Sequence, residues 1–220
     1  MRSARPGAAV CCQPSAWVEV SFGLKTNELE QPSRVRKLVI EKAWTLLSSR
    51  QVSDHRIFTI RDDIYRFEPS GRERDFVVIQ SPDWVNVVPL TDDGQVVLIR
   101  QYRHGIRAVT LEIPGGIIDR GESPDAAAVR ELREETGYEA RRVRLLGRVR
   151  PNPAIQDNYQ YCYVAEGCRP AGETRWDPFE QIEIVPRPLG EIPDLIRREE
   201  ISNALVINAF YFLGASDRPA

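Results

Sequence analysis

The chain has 220 residues with 30 basic and 32 acidic side chains, a formal charge of −2, and this near-balance fits neither a basic nucleic-acid binder nor an acidic disordered tail. Apolar residues make up 42%, no window approaches the roughly 20 uncharged apolar residues of a membrane span, and a chain of this size buries roughly 70% of its unfolded surface. A soluble globular protein with its own core is expected, with neither nucleic acid nor membrane as partner.

Residues 1–37 contain Pro6, Pro14 and Pro32 and sustain no period of 2.0 or 3.6, so they are expected to form a loosely ordered extension. Only two histidines, His55 and His104, and four cysteines occur in the chain. Cys11, Cys12, Cys162 and Cys168 lack the repeated short spacing of a zinc site. Reduced thiols and a cytoplasmic location follow as the expectation, and any metal site must be built mostly from carboxylates. Every cation after Lys42 is an arginine. Guanidinium suits phosphate binding, and a bias of genome composition explains the skew equally well.

From Trp44 the pattern turns β-like, with strands predicted at Trp44–Leu47, Ile57–Phe67 and Asp75–Gln80 and a turn at Pro69-Ser-Gly71. Val85–Leu90 and Gln95–Tyr102 follow, joined by Thr91-Asp-Asp-Gly94, a strong hairpin signal. The period switches to 3.6 between Ser123 and Thr136, reverts at Arg141–Val149, Tyr159–Ala165 and Gln181–Val185, and ends in helices predicted near Leu189–Arg198 and Ile201–Leu213. Many strands around a single internal helix predict a mixed-sheet α/β or α+β core and not a doubly wound parallel sheet.

The internal helix carries the chemistry. Ser123 and Pro124 suit the N-cap and first helical position, and Gly137 supplies the stop. Glu131, Glu134 and Glu135, at i, i+3 and i+4, converge on one side with Ala127 and Ala128 a turn earlier, which leaves Val129, Leu132 and Thr136 to face the sheet. Oxygen donors without histidine or thiolate favour a hard ion, Mg²⁺ or Mn²⁺. An isolated E-x-x-E-E also reads as a solvated acidic face, so the surrounding residues decide.

Those residues run Gly116-Ile-Ile-Asp-Arg-Gly-Glu122, then Arg130-Glu131-Leu132-Arg-Glu134-Glu135-Thr-Gly137-Tyr138, and resemble the complete Nudix box, G-x5-E-x7-R-E-U-x-E-E-x-G-U. Resemblance to the Nudix hydrolase family implies a Nudix fold, a mixed sheet sandwiched by helices with an N-terminal antiparallel sheet ahead of it. It also implies metal-dependent hydrolysis of a nucleoside diphosphate linked to another group. Carried over, Gly115 through its carbonyl, Glu122, Glu131, Glu134 and Glu135 would hold metal, Glu134 and Arg130 would act in catalysis, and Arg130 would orient the glutamates.

Outside the box, Gln101-Tyr102-Arg103 and Leu111-Glu112-Ile113-Pro114-Gly115-Gly116 resemble segments of the ADP-ribose pyrophosphatase group, with Gly115 in place of the usual alanine. That group also contains GDP-mannose hydrolases. The resemblance implies that Arg103 binds phosphate or a terminal ribose, with Glu112 beside it in the substrate site, and that ADP-ribose is cleaved to AMP and ribose 5-phosphate. GDP-mannose-like nucleotide sugars are the alternative, and a non-catalytic nucleotide sensor the more distant one. Asn152-Pro153-Ala154 stands where many relatives carry Ser-Pro-Gly. The general base is expected on a later acidic loop containing Glu173, Asp177 and Glu180, with Glu180 preferred. Three segments are expected: the extension over 1–37, a β-rich segment over 38–80 for dimerisation and substrate, and the hydrolase domain over 81–220. Trp44 would stack on a nucleobase across a homodimer.

Overall fold

The computed structural model describes residues 40–176 and 178–216. The predicted extension over residues 1–37, with Cys11 and Cys12, and the candidate base Asp177 lie outside the described residues. From Ala43 onward the described residues form one compact unit.

Two sheets organise it. The first is antiparallel, with strands β1 (Trp44–His55), β2 (Phe58–Phe67) and β3 (Arg72–Gln80) in that order. β1 runs eight residues beyond the predicted Trp44–Leu47. Its polar Ser-Ser-Arg-Gln stretch hides a strand that pairs with β2 along its length, with irregularities between Leu46 and Ser48 and between Gln51 and Ser53. Pro69-Ser-Gly71 makes the predicted turn, with Gly71 at φ 66°.

The second sheet holds eight strands: β4 (Trp84–Thr91), β5 (Gln95–Arg103), β6 (Ala108–Glu112), β7 (Gly115–Ile117), β8 (Tyr138–Glu139), β9 (Arg142–Val149), β10 (Gln160–Pro170) and β11 (Ile182–Pro188). The predicted hairpin at Gly94 joins β4 to β5. The sheet is mixed because β4 pairs parallel with β10, in register Val88 with Val164, while its other pairings are antiparallel. β11–β5–β4–β10–β8 is the main path, with β6 on β5, β7 on β4 and β9 on β10.

Alternation along the two central strands builds a core on each face. Val85 and Val87 of β4, with Tyr163 and Ala165 of β10, pack against Ala127, Ala128 and Leu132 of helix α1 (Pro124–Thr136). Val88, Cys162 and Val164 point the other way, onto Ile192 and Leu195 of helix α2 (Ile192–Arg197) and Val206, Ala209 and Leu213 of helix α3 (Ala204–Ser216). The predicted helix Leu189–Arg198 divides into a 3₁₀ turn, Leu189–Glu191, and α2. α3 starts at Ala204 and not Ile201 because Asn203 intervenes, its Oδ1 accepting the Leu205 N–H at 2.9 Å as a cap.

The first sheet is tied to the segment before β10. Ile79 bridges Gln156, the Ile79 N–H donates to the Ile155 carbonyl at 2.7 Å, and Arg61 reaches Asp157 at 2.8 Å. Among the described residues no helix is long and apolar enough to cross a membrane.

Candidate active site

Helix α1 begins at Pro124 and ends where Gly137 adopts φ 70° and donates its N–H to the Arg133 carbonyl at 2.8 Å. Two sequence expectations about it need correction. Ser123 occupies the N-cap but makes no side-chain capping bond; its carbonyl accepts the Ala127 N–H at 3.0 Å. Val129 is half-exposed. The buried arc runs through Ala127, Ala128, Leu132, Glu135 and Thr136, and at about 100° per residue Val129 falls beyond its edge. The core stripe and the acidic stripe therefore overlap at Glu135.

Arg130 gathers the other glutamates. Its Nε and Nη2 donate to the two oxygens of Glu122 at 2.9 Å each, its Nη1 donates to Glu131 at 2.8 Å and Glu134 at 3.2 Å, and Nη2 also donates to the Ile117 carbonyl at 3.1 Å. A planar guanidinium has the donors for such a fork and a flexible ammonium does not. Glu122 additionally accepts the Asp119 N–H at 3.1 Å, and Arg130 holds its carboxyl below the usual carboxylate range.

Glu135 is treated differently. It is 4% exposed, and it accepts the Gly115 N–H at 3.0 Å. Burial pushes its carboxyl well above the ordinary range, and the negative charges of Glu131 and Glu180 push it the same way. Glu131 is also raised, by burial first, with Arg130 offsetting part of the effect. Two desolvated carboxyls side by side resist ionisation, because the protein alone does not compensate the negative charge they would carry. The double glycine explains how strand β7 comes so near: a Cβ on Gly116 would sit 2.7 Å from the carboxyl carbon of Glu131, and one on Gly115 would collide with the Val85 carbonyl and the Asn86 amide. Gly115 is thus fitted to Asn86, the residue opposite it in β4.

These groups open into a cleft of about 450 Å³ lined by Asp119, Glu131, Glu134, Glu135 and Glu180 together with Arg103, Arg130 and Arg175, over the backbone of Gly115 and Gly116. Five carboxylates against three guanidiniums leave a local acidic excess. Among the described residues no three acidic, histidine or cysteine side chains already converge on one ion position; Arg130 draws Glu131 and Glu134 together in the way a cation would.

Arg103 and Glu112, both predicted to meet substrate, are found holding each other. Arg103 donates from Nε at 2.8 Å and from Nη2 at 2.7 Å to the two Glu112 oxygens, which also accept from Thr110 at 2.5 Å and Asn203 at 3.0 Å. Burial would raise the Glu112 carboxyl, but Arg103, Thr110 and Asn203 together outweigh it and the net displacement is downward. Glu112, 1% exposed, has its oxygens saturated from within the chain and serves Arg103.

Glu180 arrives from the loop after β10, whose start is fastened to the end of α1. The Arg175 N–H donates to the Glu134 carbonyl at 2.8 Å, the Trp176 indole N–H to the Glu135 carbonyl at 3.1 Å, and Ala171 and Gly172 to Gly137. Trp44 packs within the first sheet, its ring 4.7 Å from Phe67 and 5.6 Å from Phe76, and does not line the cleft. Sequence reading missed Arg175, Trp176 and Asn203, none of which stands in a motif.

Sheet, helix and cleft together bring carboxylate oxygens and guanidiniums to one place over the Gly115-Gly116 backbone. Residues 81–205 match the NUDIX domain family, and the chain belongs to it. It is similar to the ADP-ribose pyrophosphatase of Bacillus subtilis (strain 168), 29% identical over 66% of this chain and 79% of the relative. It is also similar to the methanol dehydrogenase activator of Bacillus methanolicus, 28% identical over 80% of this chain and 94% of the relative. A solved ADP compounds hydrolase superposes with a TM-score of 0.70 at 28% identity, covering 78% of this chain and 92% of that one. The chain is a Nudix hydrolase, and a divalent cation is the general requirement of that family.

Proposed function

We propose that the protein hydrolyses the pyrophosphate bond of ADP-ribose to AMP and ribose 5-phosphate with Mg²⁺ as its ion, Mn²⁺ being the alternative of the same chemistry. The observation that carries this reading is the cleft itself, where box glutamates and arginines meet at the Gly115-Gly116 backbone. The relatives named for ADP-ribose and ADP compounds support the choice of substrate.

The residues fit a hard divalent ion. Donors are oxygen only, and the raised Glu131 and Glu135 carboxyls are what a bound cation would bring back to the ionised form. Glu131, Glu134, Glu135 and the Gly115 carbonyl would hold it. Glu122, with both oxygens on Arg130, supports them through that arginine. When bound, such an ion polarises phosphoryl oxygens and makes a bound water more acidic.

The chain's own groups do the rest. Arg130 keeps three glutamates at fixed separations, so little reorganisation accompanies substrate entry. Arg103, oriented by Glu112, presents its remaining donor edge to the cleft. Glu180 faces Glu131 and Glu135 across it and is the group we assign to take the proton of the attacking water, within hydrogen-bond reach when substrate is bound.

The first sheet serves assembly in this reading. Leu46, Val52 and Val77 are exposed on it at 50%, 43% and 52%, apolar surface suited to a second copy of the chain. The segment over 38–80 is thus proposed as the dimerisation element, through which Trp44 would reach the partner's substrate. Cytoplasmic residence is consistent with the free, buried Cys162 and Cys168.

Purified protein given Mg²⁺ and a panel of nucleoside diphosphate derivatives tests the proposal, with products resolved by chromatography. ADP-ribose should show the highest kcat/KM and release AMP. Cleavage of GDP-mannose in preference would replace the substrate, and tight binding of ADP-ribose without turnover would return the protein to a sensor.

A further inference from the structure

The three arginines of the cleft differ in what they already hold. Arg130 is engaged by Glu122, Glu131 and Glu134. Arg103 uses two of its nitrogens on Glu112. The guanidinium of Arg175 enters no ion pair and no side-chain hydrogen bond among the described residues, although it lines the same cleft.

Its main chain, by contrast, is fixed. The carbonyls of Glu134 and Glu135 lie in the last turn of α1, where a helix cannot satisfy its own acceptors, and the Arg175 N–H and the Trp176 indole N–H occupy them at 2.8 and 3.1 Å. An exposed arginine is therefore carried on a main chain tethered to the backbone of two of the box glutamates. Anchored backbone and uncommitted side chain are what a group needs if its partner arrives with the ligand.

We propose that Arg175 is a phosphate-binding arginine of this cleft beside Arg103, its guanidinium forming paired charge-assisted hydrogen bonds to the non-bridging oxygens of the substrate diphosphate. Trp176 is a positioning residue that fixes where this fork emerges. The ligand class is an anionic diphosphate because the fork matches two oxygens of one phosphoryl group. Contacts to those oxygens strengthen as charge develops on them during hydrolysis, so the arginine contributes to turnover as well as to binding. The assignment rests on the pyrophosphatase reading given above.

Steady-state kinetics of Arg175→Ala, Arg175→Lys and Trp176→Phe with ADP-ribose and Mg²⁺ test it, beside Glu135→Gln and wild type. Arg175→Ala should lose about 30-fold in kcat/KM, roughly 2 kcal/mol, with a higher KM and an unchanged Tm, since the side chain is exposed. Arg175→Lys should recover part of the loss, because charge returns without the fork, and millimolar guanidinium ion should partly restore Arg175→Ala. Trp176→Phe should lower kcat more than it raises KM. Wild-type kcat/KM in Arg175→Ala, with Glu135→Gln inactive, overturns the arginine and leaves the pyrophosphatase reading standing. A wild-type protein that cleaves no nucleoside diphosphate removes both.

Discussion

Replacing Glu112 by glutamine is the sharpest test of how the site is supported. The carboxylate accepts two bonds from Arg103 and one each from Thr110 and Asn203, so the amide loses charge and turns one acceptor into a donor facing donors. Removing one partner of a buried ion pair costs about 3–5 kcal/mol. The Arg103 side chain is 44% exposed, and water replaces part of what it loses, which brings the expected cost to about 2–3 kcal/mol. For a chain of this size that lowers Tm by about 4 to 12 °C. Thermal unfolding in metal-free buffer, together with an Arg103→Gln, Glu112→Gln double-mutant cycle, measures it. A Tm within about 1 °C of wild type, or a cycle additive within about 0.5 kcal/mol, refutes the claim that Glu112 holds Arg103.

Acid unfolding should show the same pair. Because the folded Glu112 pKa lies below its ordinary 4.5, its contribution is complete above that value and disappears as pH falls through the lowered one; Glu112→Gln should flatten this limb of the Tm–pH curve. Glu135→Gln should cut kcat by orders of magnitude yet raise the metal-free Tm by about 2–4 °C, since the amide replaces a buried carboxyl whose ionisation burial and the neighbouring acids penalise; unimpaired turnover would end the metal-site assignment. Millimolar Mg²⁺ should raise the wild-type Tm progressively, and EDTA should abolish turnover; a Tm indifferent to Mg²⁺ would argue against binding at the buried carboxylates. Gly116→Ala places a methyl against the Glu131 carboxyl and should lower kcat about 100-fold, measured beside circular dichroism that confirms an intact fold; full activity would show that Glu131 is free to move.

The box was legible because its glycines, carboxylates and arginine must keep fixed spacing on one loop and one helix. The hairpin at Gly94 and the turn at Gly71 were legible because their backbone needs φ > 0. What escaped depended on partners distant in sequence. The Arg103–Glu112 pair lies within one hairpin, but the contact that completes the shell of Glu112 comes from Asn203, 91 positions away. Arg175 and Trp176 sit in a loop without periodicity, and only the free carbonyls at the end of α1 give that loop a position. Val129 was misassigned because the sheet-facing side was placed on Val129, Leu132 and Thr136, whereas tertiary packing centres the buried arc nearer Glu135. The polar half of β1 was missed because a strand in an open sheet needs no apolar alternation.

The parallel pairing of β4 with β10 sets an order of events. Every strand from β5 to β9, and helix α1, lies between these two in the chain, so the contact that backs the helix with Tyr163 and Ala165 closes a long loop and belongs to the slow, nonlocal part of folding. A nascent chain released before residue 160 would contain every residue of the box and still lack half the floor on which α1 rests. Catalytic competence in this protein is therefore acquired late in synthesis, well after the residues responsible for it have emerged.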